Sequence, residues 1–143
     1  MLYFKTEPTD QAVGFTAYFT DGHVLYDSND IIIFDLVESN VGGYYQTSSS
    51  QFICPVHGLY AFSLHVLSGL WDVFAGQVMN ESSLLGSVYG DGRDGFQNGG
   101  SNLVVTVCNK GDRVWVRSQS DRNLIYGDAD RECTFSGFLV YEI

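Results

Sequence analysis

The sequence predicts an all-β fold, an antiparallel sandwich or barrel, on three observations. Aromatic residues make up 15% of the chain, with nine Tyr and ten Phe, side chains that suit a pleated, half-buried surface. Sixteen glycines and only two prolines punctuate the chain at short intervals, and it lacks the runs of Ala, Leu, Glu and Lys that sustain helices. Extended segments, about nine or ten in number, are separated by turn signals every roughly 8–12 residues.

Residues 13–20, VGFTAYFT, set Phe15, Ala17 and Phe19 against Gly14, Thr16, Tyr18 and Thr20, the period of a strand with one face on a core. Asp21-Gly22 turns the chain. Ile31 to Phe34, an apolar run between Asn29-Asp30 and Asp35, reads as a brief strand. Asn40-Val41-Gly42-Gly43 brings two glycines that tolerate positive φ before Tyr44 and Tyr45 resume an extended path. From Gly58 to Leu67 the side chains of Tyr60, Phe62, Leu64 and Val66 share one face, with Ala61, Ser63 and His65 on the other. This segment is long, aromatic and free of proline, so it belongs in the middle of a sheet.

Val73 to Met79 and Leu84 to Tyr89 form a hairpin across Asn80-Glu81-Ser82-Ser83, a turn that carries a glycosylation acceptor pattern at Asn80. Next comes GDGRDGFQNGGSN, residues 90–102, whose five glycines among two aspartates and an arginine read as a loop. Leu103, Val105 and Val107 alternate as a strand, and Asn109 to Asp112 turns. Arg113 to Arg117 continues with Val114 and Val116 inward, and Thr134 to Glu142 is the last strand. The sequence has no internal repeat and no linker.

The 143 residues suit one domain with a single core. A net charge of -10, from 17 acidic and 7 basic residues, argues against nucleic-acid binding, which draws its affinity from cationic side chains. The same charge disfavours an anionic membrane surface, and no apolar run is long enough for insertion. Met1 to Pro8 has no basic start or apolar centre, so no export signal is visible there. His23, His57 and His65 lie on separate elements without metal spacing. Ser63 and His65 sit on a regular strand rather than at a nucleophile turn, so an enzyme is not expected. Asp128 and Asp130 read as a solvated acidic surface. Cys54, Cys108 and Cys133 allow one disulfide and a free thiol, or three reduced thiols buried as small hydrophobes.

The spacing of Phe34, Asn40, Tyr45, Phe52, Gly58, Tyr60 and Phe62 resembles the signature of the complement C1q globular-domain family, with Leu64 where the family usually has an aromatic. VGFTAYFT, GDRVWV at 111–116 and TFSGFLVYE at 134–142 extend the likeness over residues 12–143, leaving 1–11 as an N-terminal extension. The resemblance implies a ten-stranded antiparallel jelly-roll sandwich like that of tumour necrosis factor, assembled as a homotrimer, secreted and extracellular. No collagen-like Gly-X-Y run is present. Tyr44, Tyr45, Phe138 and Tyr141 are candidates for the trimer interface, or for an ordinary monomer core.

The resemblance further implies calcium near the trimer apex. Asp91, Asp94 and Gln97 are the candidate ligands, since their oxygens suit a hard cation; the bland alternative is a solvated acidic loop. If the family topology holds, Cys54 and Cys108 lie together and form a disulfide, with Cys133 free. The leading function is a recognition module that binds glycans or microbial surfaces, in the manner of an innate-immune lectin. Trp71 and Tyr89 are candidates for contact with the ligand, with a place in the core the alternative for Trp71. A signalling ligand for a protein receptor and a structural trimerisation head are the alternatives.

Overall fold

The computed structural model describes residues 11–121 and 123–143, so the expected N-terminal extension falls almost wholly outside the described residues. The chain forms β1 (Gly14–Phe19), β2 (Gly22–Tyr26), β3 (Leu36–Val41), β4 (Tyr45–Gln46), β5 (Gln51–Ile53) and β6 (Gly58–Leu67). It continues through β7 (Val73–Asn80), β8 (Ser83–Asp91), β9 (Gly99–Cys108), β10 (Arg113–Ser118), β11 (Asn123–Gly127) and β12 (Cys133–Glu142). Ten of these strands build two five-stranded sheets, ordered β3-β1-β12-β6-β9 and β4-β5-β10-β7-β8, and β2 pairs with β11 in a separate ribbon. All pairings are antiparallel. The ten-stranded sandwich implied by the resemblance is present, with the ribbon added to it.

The strands predicted from alternation hold their faces. Tyr60, Phe62, Leu64 and Val66 on β6 are all buried, as are Phe15, Ala17 and Phe19 on β1 and Val114 and Val116 on β10. Between the sheets the aromatic rings meet one another. Phe15 on β1 stacks on Tyr45 of β4 at 4.5 Å and on Phe52 of β5 at 5.2 Å, and Phe135 of β12 meets Phe15 edge-on at 5.0 Å. Phe52 also reaches Phe62 of β6 at 5.8 Å. Such pairs add about 0.5–1.5 kcal/mol each beyond their burial.

Ile31 to Phe34 is not a strand. Ile31 makes one bridge to Arg117 and Ile32 N donates to Val116 O at 2.9 Å, but Phe34 N donates to the side chain of Ser50 at 2.9 Å. The ladder ends after two residues, while Ile32 and Phe34 still plug the core. Residues 90–102 are also less of a loop than expected. Gly90 and Asp91 complete β8 and Gly99 to Asn102 begin β9, leaving only 92–98 between them. The glycines at 90 and 100 permit close backbone approach, since a Cβ at either would run into the opposing chain.

Four strands escaped the sequence reading. β3 has charged and polar residues at a sheet edge, β5 has three residues, and β2 and β11 are five-residue strands of a separate ribbon.

One buried polar residue holds a junction that strands do not. Asn123 Nδ2 donates to Ala75 O at 2.8 Å and Ser118 Oγ at 2.6 Å, and its Oδ1 accepts from Ala75 N at 3.1 Å. Asn123→Ala strands a buried N–H, and we expect it to lower the unfolding free energy by about 1–3 kcal/mol in urea denaturation. A change below about 0.5 kcal/mol, the range of ordinary surface substitutions, would contradict this role.

Candidate recognition cleft and outer sheet face

Two chain segments meet at one end of the sandwich, 68–72 after β6 and 92–98 after β8. They are tied to each other by backbone bonds: Trp71 N donates to Gly92 O at 2.8 Å, Gly92 N to Asp72 O at 2.7 Å and Ser68 N to Asn98 O at 3.0 Å. Gly92 has no space for a side chain beside Ser68, Gly69 and Asp72. Gly95 has φ +91, and a Cβ there would lie 2.5 Å from the Trp71 ring, so the indole rests directly on glycine backbone. Trp71 itself has φ +67 and is 70% exposed. A bulky side chain in that region costs on the order of 1–3 kcal/mol and survives only where its surroundings enforce it. Phe96, at 72% exposed, and Tyr89 stand out into solvent from the same end.

At the same end, on the residues that flank Gly92 and Gly95, lies an open cleft of about 550 Å³ lined by Asp91, Arg93, Asp94 and Asn98. Arg93 grips Asp91 through both its Nε, at 2.9 Å, and its Nη2, at 2.7 Å. Asp94 Oδ1 accepts from Phe96 N at 3.1 Å, and Asn98 Nδ2 donates to Asp91 O. The Arg93 side chain holds the Asp91 carboxyl down at about 2.

Asp91 closes β8, and Asp94 and Gln97 follow it in the 92–98 segment. Both Asp91 oxygens are committed to a guanidinium, and among the described residues no three His, Cys, Asp or Glu side chains converge as a metal site.

The second feature is the outer face of the β3-β1-β12-β6-β9 sheet. Val105, Ala61, Phe138, Gly14 and Val41 are successive register partners across β9, β6, β12, β1 and β3. Directly paired residues share a face, so these five make one apolar row. Val105 is 57% exposed, and Phe138 and Val41 are each 52% exposed. Leu103, Val107, Tyr141 and Ile143 extend the exposed surface.

Of the four interface candidates, Phe138 and Tyr141 lie out on this sheet. Tyr44 is half-buried against the core. Tyr45 requires correction: it is 2% exposed, stacked on Phe15, and its hydroxyl is pushed up to about 12 by burial. Leu103, Val105 and Val107 were visible as an alternating set, but that side of β9 faces outward, leaving Val104 and Thr106 half-buried behind it.

The expected Cys54–Cys108 disulfide is absent, because all three cysteines are free and buried. The two thiols do meet, since Cys108 pairs with Gly58 at the start of β6 and Cys54 N donates to Asp112 O at 2.8 Å. They share a hydrogen bond that eases loss of the first proton, at Cys108, and makes the second, at Cys54, harder to remove. Cys133 donates to Tyr126 O at 2.9 Å, and burial pushes its thiol up to about 11.

Asn80 is a poor glycan acceptor. Its Nδ2, the atom a glycan would occupy, donates to Cys108 Sγ at 3.4 Å and Asp112 Oδ2 at 3.3 Å, and its Oδ1 is buried without a partner. The side chain turns inward from the hairpin end. His23 packs edge-on to Tyr126, His57 Nδ1 contacts Asn109 Oδ1 at 3.0 Å, and His65 Nδ1 contacts Glu132 O. Asp128 Oδ1 accepts from Asp130 N at 2.9 Å.

A family profile described as C1q domain matches residues 14–140. The chain is 32% identical over 136 residues to zebrafish (Danio rerio) Caprin-2, covering 94% of this chain and 15% of the relative. It is 31% identical over 118 residues to human (Homo sapiens) complement C1q tumor necrosis factor-related protein 3, covering 81% of this chain and 47% of the relative. The chain thus spans under half the length of these curated relatives. Among solved structures, the globular domain of zebrafish complement 1qA superposes with a TM-score of 0.75 at 20% identity, covering 92% of this chain and 99% of that one. Eiger TNF from S. frugiperda superposes with a TM-score of 0.76 at 9% identity, covering 93% and 95%.

The Asp91–Arg93 pair has a direct titration signature. A carboxyl held low in the folded state lends stability above the ordinary carboxylate range and loses that contribution as pH falls towards about 2. In a carbon-detected NMR titration the Asp91 carboxyl is expected to titrate well below the ordinary aspartate value, and Arg93→Gln to return it to that value. An Asp91 midpoint unmoved by Arg93→Gln would show that the pair does not form.

Proposed function

The chain belongs to the C1q domain family, and from that premise we propose that it is a secreted, extracellular homotrimer that recognises glycans on microbial or host surfaces. C1q and tumour necrosis factor-like domains are generally trimeric and bind ligands or receptors. The observation that carries the reading for this chain is the division of its surface. One sheet face exposes an apolar row across five strands, which suits burial against copies of itself, while one end carries a polar cleft with aromatics. A stable oligomer typically buries on the order of 2,000 Å² or more in an apolar interface. Three equivalent clefts on one rigid body then gain avidity on a repetitive surface through high effective concentration, even where each contact is weak.

The acidic surface, at -10 per chain, points the same way, because it disfavours phosphate backbones and anionic lipid. Calcium belongs to the proposal as a partner of the assembled trimer, where three acidic chains meet. A glycan array probed with the labelled protein, in calcium and in chelator, tests the reading. Reproducible saccharide binding is the expected result. A blank array in both buffers, with selective binding to a cell-surface protein, would overturn the lectin in favour of a receptor ligand.

A further inference from the structure

We infer that the cleft lined by Asp91, Arg93, Asp94 and Asn98, together with the Trp71 indole held on Gly95 of the same segment, takes an uncharged pyranose unit and rejects acidic sugars. This rests on the glycan reading proposed above and assigns it a site and a ligand charge.

The first support is the presentation of the indole. Trp71 is 70% exposed, yet its backbone is tied to Gly92 and its ring lies against Gly95, where only a hydrogen atom fits. A flat aromatic face fixed at a surface suits the apolar C–H face of a sugar ring.

The second is the mixed polarity of the cleft. The lining offers two carboxylates, one guanidinium and an amide side chain. Sugar hydroxyls donate and accept at once, so a lining with both kinds of group is able to satisfy them. Of the five N–H groups of the Arg93 fork, Asp91 takes those at Nε and Nη2, leaving donors on an oriented side chain.

The third is charge. The one cation in the lining is already paired with Asp91, and Asp94 leaves the cleft net negative on a chain of -10. A sulfated or carboxylated sugar meets a guanidinium already neutralised by Asp91 and approaches the unpaired charge of Asp94, an arrangement that selects against it.

NMR on uniformly labelled protein, in chelator, tests the assignment with methyl glycosides of glucose, galactose, mannose and N-acetylglucosamine, and with N-acetylneuraminic acid and galactose 6-sulfate. The chain has two tryptophans, so Trp71→Phe identifies the indole signal of Trp71 against that of Trp115. At least one neutral glycoside is expected to shift the Trp71 indole, with the acidic sugars weaker. Trp71→Ala should weaken that binding at least tenfold and Trp71→Phe less, both with unchanged melting. Neutral sugars that bind without moving the Trp71 indole, and equally well to Trp71→Ala, would place the site elsewhere while leaving the lectin reading standing. Tighter binding of the acidic sugars would overturn the charge selection alone. Saturating titrations that move no signal with any sugar, beside a blank array, would overturn both.

Discussion

The rings packed between the sheets are the constraint on which the rest of the molecule depends. Phe15, Tyr45, Phe52, Phe62 and Phe135 come from five different strands and both sheets, and every one is buried. Since Phe15–Tyr45, Phe15–Phe52 and Phe52–Phe62 span the gap between layers, the strands that carry them are held in register with partners in the other sheet. The open sides of the sandwich are closed by amide side chains instead. On one side Asn40 of β3 donates to Tyr45 O at 2.8 Å and accepts from Tyr45 N at 3.0 Å, imitating a ladder between edge strands of different sheets. On the other, Asn102 of β9 donates to Ser87 O of β8 at 3.0 Å.

This arrangement leaves two surfaces free for function. Because the large rings are spent between the layers, the outer face of the β3-β1-β12-β6-β9 sheet is built from smaller residues, with Phe138 rising between Gly14 and Ala61. Such a face carries an apolar row that runs unbroken across all five strands, the surface expected of a subunit interface. The end of the sandwich is different in kind. There the glycines bring β8 and β9 close, two short segments lock by backbone bonds, a strained tryptophan is carried outward and an ion pair forms.

Much of the fold was legible because burial imposes a period. β1, β6 and β10 carry their aromatics and valines at every second position, and each of those faces lies in the core. The signature spacing also has a physical meaning, since Asn40 and Tyr45 are linked directly. Period alone did not assign the faces of β9, where one side is apolar and the other holds Val104, Thr106 and Cys108; the outward side is the more apolar one. Nor did it separate adjacent Tyr44 and Tyr45, whose different burial depends on a contact with Phe15. Asn80 matched an acceptor pattern, but its hydrogen bonds come from residues 28 and 32 positions away. The cleft was the least legible part. Its glycines read as slack when they serve close approach, and the position of Trp71 is set by a loop some twenty residues further on.

The central claim is that the exposed apolar row across the five strands is buried between copies of the chain. Multi-angle light scattering of the wild type and of Val105→Asp measures it directly, because a charge at the β9 end of that row is tolerated in water but not in an apolar interface. The account predicts a wild-type mass three times 15.9 kDa, falling to the single-chain mass for Val105→Asp with its strand content intact. A wild type that stays at the single-chain mass at micromolar concentration, or a Val105→Asp variant that remains three-fold, would contradict it.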